Sequence, residues 1–134
     1  MTPVQEFLDR LLPQFTDAEI SLHSGDVGPR LAMWSRREPV TLFGAGRSSF
    51  TPQETEQIFR WVASTFVKCH SYDVELIAAD VSGDLAYTVA YERYEAVRSD
   101  GSVLRNRLRA THVFRREGNE WKIVHRHGDQ PPDD

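Results

Sequence analysis

The chain has 134 residues, 40% of them hydrophobic, 10% aromatic and 27% charged. That size and balance fit one compact domain and exclude a disordered, collagen-like or disulfide-dense chain. The net charge of −4 is spread evenly over both halves, so no basic lobe points to nucleic acid or to an anionic membrane as partner.

The first residues, Thr2-Pro3-Val4-Gln5, have the order of a capping box with proline at the first helical position. Val4, Phe7, Leu8, Leu11, Leu12 and Phe15 follow at three- and four-residue spacing and form one apolar stripe, while Pro13 is expected to kink or split the helix. Thr16-Asp17-Ala18-Glu19 offers a second cap, for a piece ending near Gly25. Asp26 is expected to cap a short helix over 29–34, after which Val40-Thr41-Leu42-Phe43 reads as a short strand and Gly44-Ala45-Gly46 as a loop. Thr51-Pro52-Gln53-Glu54 repeats the capping pattern, and Ile58, Val62, Phe66 and Cys69 share a face of a third helix expected to run to about Cys69, itself read as helix core. As the only cysteine, Cys69 cannot close an internal disulfide. With no leader-like segment and no apolar run of ~20 residues, a cytoplasmic location is expected.

From Tyr72 onward the pattern changes to period two, punctuated by Gly83-Asp84, Asp100-Gly101 and Gly118-Asn119. Four strands are predicted, roughly 72–82, 85–97, 103–116 and 120–128. Helices first and an antiparallel meander second define an α+β fold, with the helices covering one face of the sheet.

If each dipeptide is a two-residue hairpin loop, the register is fixed. His112 then faces His125, Ala110 faces His127, Val89 faces His112 and Tyr91 faces Ala110. One sheet face carries Tyr87, Val89, Tyr91, Leu108, Ala110, Phe114, Trp121 and Ile123, and His112, His125 and His127 join it. The other carries Thr88, Glu92, Arg107, Arg109, Thr111, Arg115, Lys122 and Arg126, with Glu92 across from Arg109. Three imidazoles on an apolar face must satisfy one another or line a wet cavity, where a group titrating near neutrality suits acid–base work. The same trio has the ligand types of an open zinc site. No carboxylate is evident to orient such ligands, and neither metal nor cofactor is expected.

The segment Gly118 to Gly128, with Ala110-Thr111-His112-Val113-Phe114-Arg115-Arg116 before it, resembles the C-terminal hairpin of SnoaL-like proteins in the nuclear transport factor 2-like (ketosteroid isomerase-like) superfamily. Ser24-Gly25-Asp26, Leu31-Ala32-Met33-Trp34 and Val40 to Gly44 share the resemblance. It implies a cone-shaped α+β barrel, a curved sheet wrapped around helices to enclose a pocket, commonly dimerised through the outer sheet face. The same hairpin is similar to that of calcium/calmodulin-dependent kinase association domains, which carry a pocket arginine where this chain has His112. The superfamily spans cyclases, a steroid isomerase, dehydratases, an epoxide hydrolase and non-catalytic domains, so fold does not select function. The isomerase's acid and tyrosine trio has no residue-by-residue match; Asp80, expected opposite Tyr87, is a generic likeness. The hydrolase's aspartate–arginine–aspartate cluster is not matched while Glu92 and Arg109 point outward.

The resulting expectation is a single SnoaL-like domain over 1–129 with a disordered acidic tail at 130–134, homodimeric through its outer sheet face. It is expected to bind a small, largely apolar molecule between Trp34, Phe43, Tyr87, Tyr91 and His127. Chemistry, where present, is cofactor-free proton transfer of isomerase, cyclase or dehydratase type with His112 or His125 as base. The alternatives are a ligand-binding or association domain without chemistry and a three-histidine metal enzyme.

Overall fold

The computed structural model describes residues 1–44 and 46–132. Helix α1 spans Pro3–Leu22, with the Thr2 side chain accepting from Gln5 N and the Gln5 side chain accepting from Thr2 N, the full capping box. It is one helix of 20 residues with Pro13 inside it, so neither the expected split nor the second cap at Thr16 occurs. Burial of Phe7, Leu11, Phe15, Ala18 and Leu22 along one stripe holds it together and outweighs the hydrogen bond that Pro13 removes. The chain leaves α1 through Gly25, whose φ of +94° suits glycine.

Helix α2, Gly28–Met33, is short, and its N-cap is Val27 and not the expected Asp26, whose Oδ1 instead accepts from Gly28 N at 3.0 Å in the turn before the helix. Strand β1, Thr41–Gly44, lies one residue later than expected and takes in Gly44, while Ala45 of the expected loop lies outside the described residues; an unforeseen strand β2, Arg47–Ser49, pairs antiparallel with β1. Helix α3, Pro52–Ser64, is capped by Thr51 and ends earlier than its apolar spacing indicated. Val67, Lys68 and Cys69 already belong to strand β3, Phe66–Ser82, so Cys69 is a half-buried strand residue and not helix core. Phe66 anchors this switch by burying its ring at the strand's first position. Strands β4 (Leu85–Arg98), β5 (Val103–Glu117) and β6 (Glu120–Asp129) complete the meander.

The sheet is open and six-stranded, ordered β2-β1-β6-β5-β4-β3, and mixed because β1 runs parallel to β6. Three register shifts along β3 and one in β6 bend it, as extra residues on one strand do, and the helices pack against its concave side. Phe7 meets Phe114 and Trp121 edge-on at 5.1 and 5.3 Å, and Trp34 meets Phe59 at 4.9 Å. No helix is long and apolar enough to cross a membrane among the described residues. The tail expected at 130–134 reaches Asp133 and Asp134, outside the described residues; Gln130 donates to Asn106 Oδ1 at 3.2 Å.

Two local events overturn the expected sheet faces. The β4–β5 connection pairs Val97 with Val103, not Arg98 with Val103. Its loop is three residues, Ser99-Asp100-Gly101, with Gly101 at φ +89° and Arg98 N bonded to Ser102 O, a turn ending in a glycine bulge. One added residue turns β4 over: Ala86, Thr88, Ala90, Glu92 and Tyr94 face inward, while Tyr87 and Tyr91 face outward. In β6, Phe114 pairs with Ile123 but Val113 pairs with His125, leaving Val124 as a bulge. Beyond it Arg126 and Gly128 point in, and His125 and His127 point out. The β5 assignments hold: Ala110, His112 and Phe114 are inside, and Arg107 and Arg109 outside.

Candidate functional site

A cavity of about 410 Å³ opens between the sheet and the helices. Its deep end is polar and buried, built from Glu19 on α1, His23 at the C-cap of α1, Arg30 on α2, Tyr72 on β3 and Arg126 on β6. Leu42, Ile58, Phe59, Val62, Phe66 and Leu108 form apolar walls, and the exposed residues Arg47, Trp61 and Arg98 stand at the mouth. Apolar walls with a few convergent polar groups are the usual make-up of a small-molecule site.

Glu19 and His23 reach the cavity because they continue the buried stripe of α1 at four-residue steps from Phe15. His23 Nδ1 lies 2.7 Å from the main-chain carbonyl of Glu19. A carbonyl only accepts, so Nδ1 carries the proton and Nε2 keeps its lone pair. Nε2 has no protein partner among the described residues. Burial lowers the His23 pKa against the opposing pull of the Glu19 carboxylate and carbonyl, so the ring is neutral at pH 7. It packs against Tyr94 at 4.3 Å and Tyr72 at 5.4 Å.

The Glu19 carboxylate lies 3.2 Å from Arg30 Nε and 3.8 Å from His23 Nδ1. Among the described residues neither Glu19 Oε2 nor Arg30 Nε makes an aligned hydrogen bond, although both residues are more than nine-tenths buried. Arg30 also lies over the Phe59 ring at 4.4 Å. A buried ion pair with spare hydrogen-bonding capacity is costly unless something polar completes it.

A second buried network starts from the cavity-lining Arg126 and Tyr72 and runs behind them to Glu92 and His112. Arg126 donates to both Glu92 oxygens at 2.8 and 3.0 Å and to His112 Nε2 at 3.1 Å, and the Tyr72 hydroxyl donates to Glu92. Burial opposes ionising Glu92, but Arg126 prevails and holds its pKa down at about 2. Burial and Arg126 together push His112 down to about 3. Glu92 thus enters the interior with Arg126 and not with Arg109, which pairs outside with Asp129 at 2.8 Å. With its oxygens engaged, Glu92 has little capacity left to activate a water.

The expected histidine site does not assemble. His112 is inside but bears on a space of about 10 Å³ beside Phe15 and Thr88, no larger than one water needs. His125 is on the outer face, its Nδ1 2.7 Å from Thr41 Oγ1, and the exposed Phe43 ring stands between it and His127 at 5.5 and 5.6 Å. Tyr87 and Tyr91 also lie outside, Asp80 pairs with Tyr87 as expected but on that outer side, and Trp34 is core against Phe59. A three-histidine metal site is overturned by the same bulge, and among the described residues no group of three or more His, Cys, Asp or Glu is placed to hold a metal. Sequence reasoning missed Glu19, His23 and Arg30. The available signal was Glu19 and His23 falling on the apolar stripe of a helix, four residues apart.

A family model described as a SnoaL-like domain matches residues 11–132. No curated protein matches the chain. Among solved structures, a nuclear transport factor 2-like superfamily protein from Salmonella enterica superposes with a TM-score of 0.77 at 18% identity, over 96% of this chain and 91% of that one. A candidate dehydratase of the NTF2-like family from Streptomyces avermitilis gives 0.78 at 17%, over 98% and 100%. A ketosteroid isomerase-like protein from Erwinia carotovora atroseptica gives 0.75 at 14%, over 96% and 98%. At these identities the likeness is one of fold.

Proposed function

The chain belongs to the SnoaL-like family, and from that premise we propose that it is an acid–base enzyme acting on a small, partly apolar molecule held in the 410 Å³ cavity. His23 takes the place that His112 and His125 were expected to fill. The observation that carries this reading is the neutral imidazole at the cavity's deep end, its Nδ1–H fixed on Glu19 O and its Nε2 unpartnered among the described residues.

The mechanism follows from these groups. Nε2 removes a proton from a carbon next to a substrate carbonyl, and the Glu19 carboxylate 3.8 Å from Nδ1 steadies the imidazolium that forms. Arg30 is permanently charged and faces the negative charge gathering on the carbonyl oxygen as the enolate develops. Returning the proton to another carbon completes an isomerisation; handing it from Nε2 to a hydroxyl on the next carbon, whose C–O bond breaks to release water as the enolate collapses to the unsaturated carbonyl, completes a dehydration. Both reactions need only proton movement, which the chain's own residues supply.

The test is proton exchange in heavy water with a panel of cyclic and aryl ketones, read by mass spectrometry. Wild-type protein is expected to accelerate deuterium uptake at the carbon next to the carbonyl, with His23→Asn reducing it at least ~100-fold while ligand binding persists. Binding without accelerated exchange would leave the domain a ligand carrier. We further propose that two copies join through the outer sheet face, where Tyr87 and Val89 on β4, Val113 on β5 and Phe43 on β1 give a partly apolar surface on three strands.

A further inference from the structure

The mouth of the cavity carries charge that the proton-transfer reading does not use. Four arginines and one glutamate line the cavity. Glu19 offsets Arg30, and Glu92, behind the wall, offsets Arg126. Arg47 and Arg98 remain, and among the described residues no carboxylate oxygen lies within 4.0 Å of either guanidinium.

These two arginines approach the opening from separate elements. Arg47 comes from the edge strand β2 and Arg98 from the end of β4, far apart in the strand order. Arg47 does not trail into solvent: its guanidinium lies 3.8 Å from the centroid of the Trp61 ring on α3, a cation–π contact that restricts a flexible side chain and presents its planar fork. Arg98 is fixed at its base by backbone bonds to Ser102 O and from Gly101 N, which hold the β4–β5 turn. The chain as a whole is acidic, at −4, so two cations without a close ion-pair partner at the entrance of this cavity run against the surface average, even with Asp100 of the adjoining turn feeling the charge of Arg98. A charged rim with apolar walls behind it focuses ions of opposite sign.

We propose that the ligand is an organic carboxylate, with its anionic group held at the mouth by Arg47 and Arg98. Its apolar body lies against Ile58, Val62 and Leu108, and its reactive carbonyl end reaches His23. This rests on the reading that the cavity binds a small molecule and adds the polarity and direction of that molecule. The two guanidiniums match a carboxylate in charge and planar geometry, and Trp61 gives the chain just behind the carboxylate an apolar surface.

The test is calorimetric titration of the purified protein with matched acids and amides: 4-phenylbutanoate, naphthalene-2-acetate and dodecanoate, each against its neutral carboxamide. The wild type is expected to bind the acids at least about tenfold more tightly, an advantage that shrinks as salt rises from about 0.05 to about 0.5 M. The double variant Arg47→Gln, Arg98→Gln should lower the advantage to about twofold or less. Arg36→Gln with Arg105→Gln, which makes the same change in net charge at exposed sites away from the cavity, should retain it. Amides binding as tightly as acids, or a preference that survives in the double variant, overturns the proposal. If those amides are also excluded by Leu108→Trp, the cavity reading stands while the carboxylate assignment fails. Absence of binding by every pair overturns both.

Discussion

His112 illustrates how one side chain can be placed correctly and still have a different job. It faces inward, as the hairpin pattern indicated, yet it accepts from Arg126 and is held neutral, with its pKa driven from 6.5 to about 3 by burial and the neighbouring guanidinium. Its chemistry is that of a positioning residue for Arg126, and the consequence is read in stability. Between about pH 6.5 and about 3 the unfolded chain binds a proton at this residue that the folded chain refuses. Stability is therefore fully present above that range and falls on acidification by ~1.4 kcal/mol per pH unit for one such group. Glu92, held down from 4.5 to about 2, adds to the loss below about pH 4.5, because the unfolded carboxylate protonates first. Urea unfolding from about pH 7 to about pH 5 should give His112→Gln a shallower slope than wild type, since the amide can still accept from Arg126 but does not titrate. An unchanged slope would mean that His112 is not the group refusing the proton.

At the scale of elements, β6 was the hardest part to read and is the most consequential. A regular strand keeps Ile123, His125 and His127 on one face, and only an extra residue lets Ile123 and Arg126 both point inward. Val124 is that residue, and nothing in Ile123-Val124-His125 marks a bulge: there is no glycine, and all three fit a pleated surface. Gly128 carries a quieter signal. It lies inward two residues past Arg126, and a Cβ there would meet Arg126 Nη2 at 3.2 Å and Nε at 3.3 Å. The strand thus leaves space for the guanidinium that completes the buried network. Gly128→Val should displace Arg126 from Glu92 and destabilise the fold by about 1–3 kcal/mol, measured by denaturant titration; a variant as stable as wild type would show that the space is spare. The capped helix starts were easier to read, because their signals lie within four residues of each other.

For the molecule as a whole, the overall order of helices then sheet was legible, but the sheet's two faces were exchanged along β4. This places Tyr87 on the outer surface at 42% exposure, with Ile77 and Leu85 also exposed. Arg107 lies over the Tyr91 ring at 4.5 Å on the same side. An outer face of mixed aromatic and arginine character has the composition of an interface core. Sedimentation at micromolar concentration is expected to give a dimer for the wild type and a monomer for Tyr87→Glu, which buries a charge in the contact. A Tyr87→Glu variant that remains dimeric would move the interface elsewhere.

Composition, capping patterns and the switch from a helical to a two-residue period determined the element order, the α+β class and most of the inward set on β5, because each depends on neighbours within a few residues. The identity of the site did not follow from those signals. It depended on one extra loop residue at Ser99-Asp100-Gly101 and one bulged residue at Val124, each of which reverses every side chain beyond it. It also depended on the meeting of Glu19, His23 and Arg30 from two helices with Tyr72 and Arg126 from two strands. Only tertiary packing could select these alternatives, since the registers are locally just as good and differ in which side chains the helices cover.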